Sequence, residues 1–153
     1  MKPYVAVCGS SAATPEEIGW AREVGRLLAE AGAVVVTGGL GGVMAAAAEG
    51  AASAGGTSIG LLPGDRHGEG NEHNTVVVPT GMGEARNTLV VRAAHAVIAV
   101  GGEFGTLSEI AFALRTGKPV VALGSWESLD APVHRVETSE EAVRVALSLS
   151  RER

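Results

Sequence analysis

The chain has 153 residues, 46% of them hydrophobic and 19% charged, with a formal net charge of −5. That length builds one domain over 1–153, its apolar content offsets chain entropy, and its acidic balance argues against a nucleic-acid surface. A single cysteine, Cys8, excludes an internal disulfide and a thiolate zinc cage, and no apolar run reaches the ~20 residues of a membrane span.

Met1-Lys2-Pro3 leads directly into the apolar run Tyr4-Val5-Ala6-Val7-Cys8, leaving no room for a signal peptide, so a cytoplasmic protein is expected. The run stops at Gly9 and reads as a strand buried on both faces. Thr14 can cap the next helix, with Pro15 at its first position and Glu16 and Glu17 suited to its dipole. Ile18, Ala21, Val24, Leu27 and Leu28 recur at helical spacing until Gly32. A strand over 33–37, a glycine turn over 38–42, an alanine-rich helix over 43–54 and a strand over 57–62 follow. The stretch 63–75 is polar and reads as a solvated lid rather than a metal site, although it holds Asp65, His67, Glu69, Glu72 and His73. Next come a strand over 76–78, a helix over 83–94, a strand over 96–100, a helix over 106–116 and a sixth strand over 120–123. Residues 126–136 read as an irregular excursion, and 139–150 as a closing amphipathic helix capped by Thr138 or Ser139. Alternating strands and helices predict a single-domain α/β fold, a Rossmann-like doubly wound parallel sheet of about six strands.

Ligands of such sheets bind beyond the carboxyl ends of the strands. Those ends carry Gly9-Ser10-Ser11, then Gly39, Gly41 and Gly42, then Met82, and finally Gly101, Gly102, Gly105 and Thr106. Glycine serves any tight turn, but so many on one rim, three of them opening helices, point to a phosphate ligand held by backbone amides. The dinucleotide fingerprint fits poorly, because Met44 stands where its third glycine belongs, and no Walker loop occurs. Pyridoxal phosphate needs a placed lysine; Lys2 and Lys118 are the only ones and neither stands on this rim, so no cofactor of that kind is expected. Cys8 reads as a small core residue with no base beside it, and His134 as a surface residue.

The stretch Gly81-Met82-Gly83-Glu84-Ala85-Arg86-Asn87, followed by Gly101-Gly102-Glu103-Phe104-Gly105-Thr106-Leu107-Ser108-Glu109, resembles the LOG (lonely guy) superfamily, often labelled lysine decarboxylase-like. Gly38-Gly39-Leu40-Gly41-Gly42-Val43-Met44 is similar to the superfamily's glycine-rich turn ending in Met, and Arg86 keeps the motif spacing to Glu109. Several positions depart from the cytokinin-activating phosphoribohydrolases of that group. Gly101-Gly102-Glu103 replaces Pro-Gly-Gly, Asn87 replaces Lys, Ser108 replaces Glu and His95 replaces Asp. These departures resemble the branch of molybdenum-cofactor carriers and nucleotide-binding relatives. The resemblance implies a small phosphorylated, nucleotide-like ligand and a homodimer or higher homo-oligomer. Trp20, or the helix bearing Leu89, Val90 and Ala93, would supply the contact between copies.

Two functional readings stay open. One is a carrier or sensor that holds its ligand without turnover. The other is a phosphoribohydrolase that cleaves nucleoside 5′-monophosphates to free base and ribose 5-phosphate. In the second, Glu109 steadies oxocarbenium-like charge or aligns a water, while Arg86 clamps phosphate or pairs with Glu109. A structural ion pair between Arg86 and Glu109 is the plain alternative to both.

Overall fold

The computed structural model describes residues 1–152. Among the described residues run seven strands and five α-helices: β1 (Tyr4–Gly9), α1 (Pro15–Glu30), β2 (Val34–Thr37), α2 (Val43–Ser53), β3 (Thr57–Leu62), β4 (Val76–Pro79), α3 (Arg86–Ala93), β5 (Ala96–Val100), α4 (Phe104–Arg115), β6 (Val120–Leu123), β7 (His134–Val136) and α5 (Ser139–Arg151). The strands form one parallel sheet in the order β4-β3-β2-β1-β5-β6-β7. Chain order therefore runs outward from β1 in one direction and resumes on its other side at β5.

Side-chain alternation along β1 divides the core. Val5 and Val7 pack with α1, α2 and α5 on one face, whereas Ala6 and Cys8 pack with α3 and α4 on the other. Small residues set the helix spacing. A Cβ added at Gly25 of α1 would lie 2.0 Å from the Ala47 carbonyl oxygen of α2, so the two backbones nearly touch there. Thr14 caps α1 in a full capping box with Glu17, and the Thr138 hydroxyl accepts from the Glu141 amide at 3.1 Å to cap α5. Among the described residues, no helix is long and apolar enough to cross a membrane.

Three boundaries differ from the sequence expectation. The sheet has seven strands rather than six, because the stretch expected to be irregular contains β7. This short edge strand buries only Val136, so no apolar run announces it. Helix α3 starts at Arg86 rather than Gly83, since Gly83 takes φ +59 and residues 83–85 form a 3-10 turn. Helix α4 starts at Phe104, two residues earlier than expected.

The polar stretch is also more fastened than a lid. Asn71 donates from its backbone and its side-chain amide to the Gly39 carbonyl, at 2.9 and 3.1 Å, and from the side chain to Leu40 O at 2.8 Å. Asn74 adds a bond to Gly39 O at 3.2 Å. Among the described residues, no group of three or more His, Cys, Asp or Glu is placed to hold a metal ion.

Candidate functional site

The order of chain progression reverses between β1 and β5, and a cleft of about 320 Å³ opens beyond their carboxyl ends. Its walls come from five places. The end of β1 supplies Val7, Cys8, Gly9, Ser10 and Ser11; the turn into α2 supplies Gly38, Leu40 and Met44. Pro63 follows β3, Glu84, Arg86 and Asn87 surround the start of α3, and Glu103, Gly105, Thr106 and Glu109 belong to the start of α4.

Of the residues expected from the sequence, Gly9, Ser10, Ser11, Met44, Arg86, Asn87, Gly105, Thr106 and Glu109 meet in this cleft. Gly39, Gly41, Gly42, Met82, Gly101 and Gly102, also expected at the site, are not among its lining residues. Two of these glycines have a visible geometric duty. Gly42 takes φ +61 with its Cβ position 2.1 Å from the Ser10 carbonyl oxygen, and the next residue, Val43, donates its amide to that oxygen at 3.1 Å. Gly102 takes φ +104, and a Cβ there would strike the Thr106 hydroxyl at 2.4 Å. No other residue lets the chain turn so tightly into α2 and α4.

Both helices begin without a side-chain cap: the N-cap positions Gly42 and Glu103 make no capping bond. Apart from Val43, whose amide reaches Ser10 O, the first-turn amides of both helices have no side-chain cap, and both helix starts line the cleft with their dipoles behind them.

The floor of the cleft carries the charge. Glu109 is 8% exposed and Arg86 9%. Burial pushes the Glu109 carboxyl up to about 7, against the opposing pull of a hydrogen bond from Cys8 and the nearby Arg86 charge. The Cys8 thiol donates to Glu109 Oε2 at 3.3 Å. Burial, followed by the charge of Glu109, raises that thiol well above its ordinary range, so it remains a protonated donor. Burial pushes the Arg86 guanidinium down while Glu109 supports its charge. Arg86 donates through Nη2 to Gly38 O at 3.4 Å and through Nη1 to Asn87 Oδ1, and its buried Nε finds no hydrogen-bond partner among the described residues.

Two expectations are corrected here. Cys8 does have a base beside it, because α4 brings Glu109 over the end of β1. Arg86 and Glu109 interact through space without closing an ion pair among the described residues; Arg86 is held by Gly38 and Asn87 instead. Glu84 lines the cleft without having been read as a site residue, whereas Gly38, Leu40, Pro63 and Glu103 line it from the strand ends where the sequence places a ligand. The surface suggested for self-association is also partly consumed. Val90 is fully buried against the sheet, and Trp20 packs onto the core of the α1 face.

A parallel sheet with its cleft at the switch point and uncapped helix starts beside it defines the Rossmann-like class, in which ligands meet the carboxyl edge of the strands. The chain belongs to the SLOG cluster4 family, whose model matches residues 2–151. It is 41% identical over 146 residues to an uncharacterized protein of Archaeoglobus fulgidus, covering 95% of each chain. Among solved structures it is similar to the molybdenum cofactor binding protein of the phototrophic bacterium Rippkaea orientalis, with a TM-score of 0.92 and 34% identity over 97% of this chain and 98% of that one. The Moco carrier protein of Chlamydomonas reinhardtii matches over the whole of both chains, with a TM-score of 0.90 and 34% identity. These matches bear out the superfamily and branch that the motifs resembled.

Proposed function

We propose that the protein binds a small phosphorylated, cofactor-like ligand in this cleft and acts as a carrier or sensor. The observation that carries the reading is the convergence of two uncapped helix starts, α2 and α4, over a buried guanidinium with an unpartnered Nε. Amides and dipole there suit a phosphate, and Arg86 adds a fixed positive charge. Resemblance to a molybdenum cofactor binding protein and a Moco carrier supports a ligand of that size and chemistry. In this reading Ser10, Ser11, Gly105 and Thr106 offer donors to the phosphate, and Met44 and Leu40 give the cleft an apolar wall.

One observation favours turnover as a second reading. A buried carboxyl pushed up to about 7 can give or take a proton near neutrality, as hydrolysis of a nucleoside 5′-monophosphate requires. One experiment separates the two. The protein is titrated calorimetrically with AMP, GMP and ribose 5-phosphate, and each mixture is then chromatographed for free base. Saturable binding with no base released supports the carrier; base release abolished by Glu109→Gln supports the hydrolase; no binding of any phosphorylated compound refutes both.

A further inference from the structure

We propose that Phe104 and Trp126 form an aromatic seat at the mouth of the cleft that takes the planar heteroaromatic ring of the phosphorylated ligand. This rests on the phosphate reading above and names the other half of that ligand.

Phe104 is one of only five aromatic residues in the chain and is 79% exposed. Its neighbours on both sides, Glu103 and Gly105, line the cleft. The first turn of α4 therefore presents Gly105 and Thr106 to the cleft, while the exposed Phe104 between two lining residues stands outside the lining itself. Trp126 stands beside that ring, with centroids 5.8 Å apart and planes tilted by 46°. The pair is fastened to the cleft wall, because the indole Nε1 donates to the Glu103 carbonyl at 3.2 Å.

The backbone under Trp126 is held in an unusual state. Trp126 takes φ +44, the one positive value among the described residues that are not glycine, and bulky side chains resist that conformation. Arg135 sustains it, donating to the carbonyls of Ser125 at 3.1 Å, Trp126 at 2.9 Å and Leu129 at 2.8 Å. Three charge-assisted bonds keep that strain in place, and Trp126 also rests on the core of the α3–α4 face, so the exposed Phe104 ring stands against a fixed partner, as strained residues at ligand clamps do. A flat π-system is the chemistry that recognises a purine or a fused heterocycle of similar size, whatever its substituents.

The test uses AMP, which carries both phosphate and ring, and ribose 5-phosphate, which lacks the ring, on the wild-type chain and on Phe104→Ala and Phe104→Tyr. Phe104 is exposed, so both variants should melt as the wild type does. Stacking predicts that Phe104→Ala weakens AMP by about tenfold, leaves ribose 5-phosphate within twofold, and that Phe104→Tyr restores AMP. Quenching of tryptophan fluorescence by AMP but not by ribose 5-phosphate would support the same contact. Equal effects on the two compounds, or none on either, overturn the aromatic seat while leaving the phosphate site standing. A wild-type chain that binds neither compound overturns the phosphate reading, and the seat falls with it.

Discussion

At the scale of single residues, the Glu109 carboxyl couples the cleft to pH. Its titration lies near 7 in the folded chain, above the ordinary carboxylate range, so the native state keeps a proton that the unfolded chain releases. The stability this group contributes is full below the ordinary carboxylate range and is lost as pH rises through about 7. Between pH 4.5 and 8 the wild type should therefore lose on the order of 3 kcal/mol relative to Glu109→Gln in urea titrations. Parallel pH profiles for the two chains would show that burial does not hold that proton. Cys8 modulates the same group: its thiol bond draws the Glu109 titration down, so Cys8→Ala should move the carboxyl signal in a ¹³C NMR titration to higher pH. An unmoved midpoint would reduce Cys8 to packing. Motif spacing made Arg86 and Glu109 legible in the sequence, but not this pair. Cys8 and Glu109 are 101 residues apart, and a lone cysteine at the end of an apolar strand has no local signal for its partner.

At the scale of elements, helix packing depends on where the chain can spare a side chain. Gly25 faces the α2 backbone, whereas nothing lies within 4 Å of a Cβ at Gly19 on the same helix. The same substitution should thus have opposite signs. Gly25→Ala is expected to cost about 1–3 kcal/mol through overpacking, and Gly19→Ala to gain up to about 1 kcal/mol through helix propensity, both measured by chemical denaturation. Equal effects would contradict the close α1–α2 contact. Periodicity and caps made all five helices and the first six strands legible, with boundaries off by a turn or less. The misplaced starts of α3 and α4 share a cause: chain geometry at positive-φ glycines decides where the helix begins, and composition does not reveal it. β7 was hidden because an edge strand of three residues, two exposed, has no apolar pattern. The stretch 63–75 looked free because its fastening runs through Asn71 and Asn74 to a carbonyl more than 30 residues away.

At the scale of the whole molecule, the alternating pattern of strands and helices was enough to expect a parallel sheet and a ligand edge. It did not say which crests would meet. That follows from the strand order, which sets β1 beside β5 and so brings Gly9-Ser10-Ser11 to the first turn of α4. The cleft is not strongly positive, since Glu84, Glu103 and Glu109 line it with Arg86 as the one guanidinium. An anion must therefore be held chiefly by amides and dipoles, and binding should depend on backbone geometry more than on net charge. Amide chemical-shift mapping with ¹⁵N-labelled protein titrated with AMP tests this most directly. The account predicts saturable shifts concentrated in the amides of 9–11, 40–45 and 103–106, with the Arg86 Nε–H signal moving alongside them. Saturable shifts confined to another surface, or none at millimolar AMP, would contradict it.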